Sequence, residues 1–416
     1  MAIKTSLWRR AGVAAAVLLA ATTALAGCTD PSAGAGGKEK VFLNLSYSGN
    51  NWQDEAANLA MSIAQSPEYA EKYEVTKQIS GTDVQKQISD LQSMIASGAK
   101  LIVSYPISPT ALDQVVQEGC ERGVTFVFYD STVNADCAYN VAFITGARAD
   151  DPERAFFGAQ TAEALAEMLG GEGKIFMNRG VAGTSTDSVH YETARAVFDT
   201  YPGIEVVAEY YGDWDSSKSQ QETAKALAAH PDIDGVWSQD GEAGVVKALE
   251  AAGLEIPVTG EGSNYFRQRL SEGWPGVSSA SPPAQAGVAM KVGLEILENG
   301  AEGMPKNIEM PLEWVTTDTA KPCEGTEFVD GCNFFPGEDD TFVTAIFQPD
   351  LLPEANLEAA KTGEPVAEVQ PLPEMSQFEQ PESRRIYTRG ACDDGWTEGP
   401  VTEGQIPAGL PGCVQE

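Results

Sequence analysis

The chain has 416 residues, with 27 basic against 61 acidic side chains and a formal net charge of −34. That length is enough for two domains with substantial cores. So acidic a surface repels phosphates and anionic headgroups, which excludes a nucleic-acid partner and charge-driven adsorption to a membrane.

In chain order, Arg9 and Arg10 come first, followed by an uncharged stretch over 11–26 that closes as Leu25-Ala26-Gly27-Cys28. This is the charged, apolar, small-residue order of a secretory signal, too short for an ordinary membrane span of about 20 apolar residues. The cysteine at the cleavage point resembles the bacterial lipoprotein signal, which implies lipidation of Cys28 and removal of 1–27. Loss of Lys4, Arg9 and Arg10 then leaves 24 basic against 61 acidic residues, a net of −37. The expected mature protein is extracytoplasmic and held to the cell membrane by lipid alone, since no second long apolar run follows. Ala-Gly-Ala-Gly-Gly over 33–37 reads as a flexible spacer.

Strands then alternate with helices. Apolar strands are expected over 41–47, 73–79, 101–106 and 125–130. Helices are expected over 52–66, with Ala56, Leu59, Ala60 and Ile63 on one face, over 83–97, with Val84, Ile88, Leu91 and Ile95 in helical register, and around 112–116. A second run repeats the rhythm. Its helices fall at 152–169, 188–200, 216–230, 241–252 and 284–298, and its strands at 174–178, 204–211, 235–239, 257–260 and 277–281. Such alternation demands parallel sheets covered by helices on both faces. The fold class is therefore α/β, with two doubly wound parallel-sheet lobes.

Beyond about residue 319 the rhythm stops and Pro, Gly, Glu and Asp become frequent. The segment 320–416 reads as an irregular extension laid over one lobe, with an apolar stretch at 342–347. Apart from Cys28, the six cysteines fall into three pairs close in sequence, so disulfides are expected at Cys120–Cys137, Cys323–Cys332 and Cys392–Cys413. Each short loop contributes about 3 kcal/mol. No CxxC occurs and neither histidine has a cysteine nearby, so no metal site is expected. Of the lone residues, His190 reads as a surface histidine and Trp237 as core.

Three motifs in order on the right elements carry a resemblance. They are Ser48-Gly49-Asn50-Asn51-Trp52 after the first strand, Gly180-Val181-Ala182-Gly183-Thr184-Ser185 before a helix, and Ala229-His230-Pro231-Asp232 leading into Gly235-Val236-Trp237-Ser238-Gln239-Asp240. Over roughly 41–317 the chain resembles type 1 periplasmic solute-binding proteins of sugar transporters, the ribose-binding group in particular. That resemblance implies two lobes joined by a three-strand hinge, a ligand closed between them, and ABC permease membrane subunits as partners. It places one lobe at 40–145 and 283–312 and the other at 146–282 and 313–319, with a lipidated linker at 28–39. The crossings are expected near 145–147, 281–283 and just before Thr316.

In open parallel sheets the ligand crevice lies beyond the carboxyl ends of the strands. The candidates there are Asn51, Trp52, Tyr105, Asp130, Trp214, Asp215, Asp240 and Glu261. Carboxylates accept paired sugar hydroxyls through charge-assisted bonds, and aromatic rings cover the CH face. The chain also departs from the ribose binders. Ser131 and Ser188 stand where they carry arginines, Asp240 replaces an asparagine, and Glu261 replaces an aspartate. Ser188 stays among the ligand candidates, and Arg148 or Arg179 could restore charge from neighbouring loops. With two cations lost, the ligand is either rich in hydroxyl donors or cationic.

The expected function is therefore hinge-closing capture of a sugar or polyol by a monomeric, cofactor-free binding protein. A sensor subunit is the first rival. A glycosidase with paired carboxylates is the more distant one, since no GxSxG, Walker loop or HExxH occurs.

Overall fold

The structure is a computed structural model. It describes residues 37–142 and 156–379, apart from 109, 312, 326–328, 330, 345 and 347, together with 396–400 and 411–415. The leader with Cys28, the crossing at 145–147, Arg148 and Cys392 lie outside the described residues. The body from Lys38 onward is one compact unit.

Its first half runs β1 (Glu39–Leu45), α1 (Asn51–Ala64), α2 (Pro67–Ala70), β2 (Tyr73–Ile79), α3 (Val84–Ala96), β3 (Ala99–Ser104), α4 (Asp113–Glu121), β4 (Thr125–Tyr129) and β5 (Tyr139–Ala142). The second half runs α5 (Phe157–Met168), β6 (Glu172–Arg179), α6 (Ser185–Phe198), β7 (Gly203–Tyr211), α7 (Ser216–Ala229), β8 (Gly235–Ser238), α8 (Glu242–Ala252), β9 (Val258–Gly260), α9 (Asn264–Ser271) and β10 (Gly276–Ser278). The chain then returns through α10 (Ala284–Asn299), β11 (Asn307–Glu309) and β12 (Val315–Thr316). The extension holds α11 (Leu357–Thr362) and the antiparallel pair β13 (Trp396–Pro400) and β14 (Pro411–Gln415).

Two six-stranded sheets result, in the orders β11-β5-β4-β3-β1-β2 and β12-β10-β9-β8-β6-β7. All neighbours are parallel except β10 and β12. The alternating side-chain direction of a strand buries both faces of each sheet. In β1, Val41, Leu43 and Leu45 enter the core beneath α1 and α10, while Phe42 enters the core beneath α3 and α4. Strands β3 and β4 split the same way, with Leu101, Val103 and Val127 on one side and Ile102, Phe126 and Phe128 on the other. The chain passes between sheets three times: from β5 to α5, from β10 to α10, and from β11 to β12. The two expected parallel-sheet lobes are present.

Two of the three expected disulfides lie among the described residues, and both form: Cys120–Cys137 and Cys323–Cys332. The extension departs from expectation. Rather than lying over one lobe, it spans both. On the first lobe, Ala360 O accepts Asn58 Nδ2 at 2.9 Å, Val366 N donates to Ser62 O at 3.1 Å, and Glu354 pairs with the buried Lys291. On the second, Asn264 donates to Phe342 O from its backbone at 2.7 Å, and its side chain brackets Phe335 through bonds of 2.7 and 3.0 Å. Phe335, Phe342, Ile346, Leu351 and Leu352 join the main core and anchor the described part of this Pro- and Gly-rich segment. His190 also departs from expectation. It is 1% exposed, sits 4.6 Å from the Phe157 ring, and burial pushes its pKa down to about 3. Trp237 is core, donating Nε1–H to Thr161 Oγ1 at 2.9 Å. Among the described residues no helix is long and apolar enough to cross a membrane.

Candidate functional site

The carboxyl ends of six strands deliver side chains into one pocket between the sheets. After β1, Asn50 caps α1 by accepting Gln53 N at 3.0 Å, so the first turn of the helix starts at the pocket with Trp52 and Gln53 on its wall. Tyr105 follows β3 and Asp130 follows β4. From the other lobe come Thr186 in the first turn of α6, Trp214 after β7, Asp240 after β8 and Glu261 after β9, and Ser281 stands on the β10–α10 crossing. The space between them, mouth included, is about 330 Å3.

Two of these residues adopt left-handed backbone, Asp130 with φ 65° and Trp214 with φ 56°. Non-glycine residues hold such values only where the surroundings over-determine them, and they cluster at functional sites. For Trp214 one determinant is Gly180: a Cβ there would stand 2.2 Å from the indole, so only glycine leaves room for the ring. For Asp130 the determinants are three donors. Oδ1 accepts from Ser281 Oγ and Gln285 Nε2, both at 2.8 Å, and Oδ2 lies 3.4 Å from Thr186 Oγ1.

Thr186 also meets Tyr105 Oη at 3.0 Å, and Asn50 Nδ2 donates to Trp214 O at 3.1 Å, so the two lobes touch directly across the pocket. Trp52 Nε1 donates to Ser281 O at 2.7 Å and ties the first lobe to the crossing.

The acids crowd one another. Burial, with Asp215 nearby, pushes Asp240 up to about 7 against the Gly241 N–H that favours its anion. Glu261 stands well above the usual carboxylate range, through burial first and then through Asp240, Glu242 and Asp130. Glu242, just behind the wall, is raised by burial and by Asp240, although its Oε1 accepts Glu261 N at 2.7 Å. Burial raises Asp130 too, partly offset by its hydroxyl and amide donors. Protonated carboxyls donate and ionised ones accept, so this wall can meet groups that do both.

Beyond geometry, the sequence profile of the periplasmic binding protein domain matches residues 41–302. The chain belongs to the periplasmic binding protein family. This family is extracytoplasmic, and its members bind solutes rather than transform them. A xylitol-binding protein of Mycolicibacterium smegmatis is 24% identical over 276 residues, 62% of this chain and 76% of that one. A ribose import binding protein of Haemophilus influenzae is 21% identical over 53% of this chain and 77% of its own length. Among solved structures, an ABC transporter solute-binding protein of Thermobispora bispora is 26% identical at a TM-score of 0.57, covering 68% of this chain and 87% of that one. One from Bacillus halodurans with bound myo-inositol matches the fold at the same TM-score with 20% identity, over 69% and 97% of the two chains.

Within this periplasmic binding protein, six of the nine ligand candidates read from sequence share the pocket: Trp52, Tyr105, Asp130, Trp214, Asp240 and Glu261. Three do not reach its wall. Asn51 points outward and donates to Thr341 Oγ1 at 2.6 Å, while its neighbour Asn50 takes the inner place. Ser188 Oγ turns back to Thr184 O at 3.0 Å, one helical turn away, and Thr186 faces the pocket instead. Asp215 is spent as the α7 cap, accepting Lys218 N at 2.6 Å.

Of the two arginine candidates, only Arg179 lies among the described residues, and it is turned to other partners. It is held by Asp187 at 2.6 Å and stacked 3.7 Å from the Tyr191 ring centre. Among the described residues, a cation not read from the sequence stands near the acids. It is Arg267 of α9, 1% exposed, bonded to Ser278 at 3.0 Å and Glu313 at 2.7 Å, and it eases the anion of Glu242. Among the described residues, no lysine or arginine lines the pocket.

Proposed function

We propose that this periplasmic binding protein captures a sugar or polyol-like molecule by hinge closure and delivers it to ABC permease membrane subunits. One observation carries the reading: three carboxyl side chains and two indoles, drawn from both lobes, converge on one pocket with no lysine or arginine among the described residues that line it. Hydroxyl groups match such a wall because each can donate to an anion and accept from a protonated acid. Ring faces of Trp52 and Trp214 suit the apolar CH face of a sugar. The relatives that bind xylitol and import ribose point the same way.

On this reading Trp52, Tyr105, Asp130, Trp214, Asp240 and Glu261 contact the ligand, and Asn51, Ser188 and Asp215 support it from outside. The mature protein is a monomer tethered by lipid at Cys28, and it changes nothing in what it holds. Lobe boundaries follow the crossings, with closure selected by the contacts the ligand adds.

Calorimetric titration with xylitol, D-ribose, myo-inositol and D-allose tests this. At least one should bind without turnover. Glu261→Ala should weaken it by about tenfold, the worth of one buried hydrogen bond, with the far-ultraviolet spectrum unchanged. Silence from all four sugars, or equal affinity in the variant, would count against the assignment.

A further inference from the structure

A second chamber opens beside the pocket and is continuous with it, because Asn50, Trp52, Trp214 and Asp240 line both. Its empty space, mouth included, is about 640 Å3, larger than the inner one. Its outer walls come from three places: Asn51 at the start of α1, Ser216 and Ser217 in the first turn of α7, and Thr341 with Val343 in the C-terminal extension. That last wall lies beyond residues 41–302, the part matched by the family profile, so it belongs to this chain's own addition.

The wall is built and held. Val343 N donates to the buried Glu55 of the first lobe at 3.1 Å, Asp340 pairs with Lys247 of the second, and Asp339 accepts both the backbone N–H and the hydroxyl of Thr341 at 2.8 and 2.7 Å. Beside this chamber the fold leaves buried hydroxyls unused. Ser263 is 5% exposed and lines it, yet its hydroxyl makes no hydrogen bond; the buried hydroxyl of Ser216 makes none either. Buried hydroxyls without partners are costly and rare, which marks them as waiting for a partner. Amides, hydroxyls and the edges of two indoles again describe a surface for carbohydrate.

We propose that the binding site has two subsites, and that the ligand is a two-unit glycoside or disaccharide whose second unit occupies the chamber closed by the extension. The inference rests on the inner pocket holding a sugar or polyol. The linkage between units passes between Trp52 and Trp214. A single ring fills the inner subsite only, and leaves Ser216 and Ser263 unsatisfied.

Calorimetry with one-unit probes (xylitol, D-ribose, myo-inositol, D-allose) and two-unit probes (xylobiose, trehalose, galactinol) decides it. At least one two-unit probe should bind about tenfold tighter than the one-unit probe it contains or extends. Ser217→Trp, at an exposed position lining only the outer chamber, should erase that gain while one-unit affinity stays the same. Ser263→Ala should lower two-unit affinity alone. If one-unit probes bind as tightly as every two-unit probe, or if the gain survives S217W, the second subsite is wrong while the inner site stands. If no probe of either kind binds, both readings fall together.

Discussion

At the scale of single residues, the pocket owes its character to carboxyl groups placed where they cannot all be ionised. Asp240 keeps its proton up to about 7, whereas in an unfolded chain it would release it near its ordinary value. A carboxyl raised in this way stabilises the fold fully below the unfolded value, and that contribution is lost as pH rises through the folded one. Glu242, Glu261 and Glu55 are raised through burial and act in the same sense. The ligand-free protein should therefore melt at lower temperature as pH climbs from about 5 to about 7. Asp240→Asn should flatten part of that decline, and scanning calorimetry across the range measures it. Parallel curves for variant and parent would show that Asp240 titrates alike in both states. The acids were legible in the sequence because a strand end fixes which residue faces the crevice. First-turn helix residues were not. Asn50 rather than Asn51, and Thr186 rather than Ser188, face inward because the N-cap sets the phase of each helix. Arg267 was illegible for another reason: the Glu313 carboxylate that neutralises it stands far along the chain.

Elements were legible in proportion to their periodicity. Strand β2 matches its expected range, and α3 begins one residue after Asp83, which caps it by accepting Lys86 N at 3.0 Å. Strand β5 escaped notice because it is four residues long, and α9 because Arg, Gln and Asn dilute its apolar face although Asn264 and Arg267 are buried. The extension misled most. Among its described residues it adds α11 and the antiparallel pair β13–β14 and no parallel strand to either six-stranded sheet. Its path over both lobes is written in tertiary bonds, and Asn264 makes the central ones. Asn264→Ala removes two side-chain hydrogen bonds to Phe335 and should cost about 2 kcal/mol, at roughly 1 kcal/mol each. Denaturant melts give that figure. Hydrogen exchange should quicken at the Phe335 amide while β1 and β3 stay protected. An unchanged rate at Phe335 would mean that the core contacts of Phe335 and Phe342, rather than Asn264, hold the strap.

For the whole molecule, charge and tether act together. A chain with a formal charge of −34 is repelled by an anionic membrane surface, so it cannot stay near a permease by adhesion. On the proposed reading, lipid at Cys28 supplies the anchor that charge forbids, and the Ala-Gly-Ala-Gly-Gly sequence serves as its spacer. The body from Lys38 is a compact unit by itself, so its pocket does not depend on the leader. Cys28→Ala should therefore move the protein from the membrane fraction to the soluble fraction with sugar affinity unchanged. One acyl chain alone binds a bilayer only marginally, so stable retention of the parent requires more than one chain at Cys28, which intact-mass measurement of the amino-terminal peptide reports directly. A parent chain found in the soluble fraction with an unmodified thiol would remove the tether. It would leave the two-lobed site intact, because pocket and anchor share no residue.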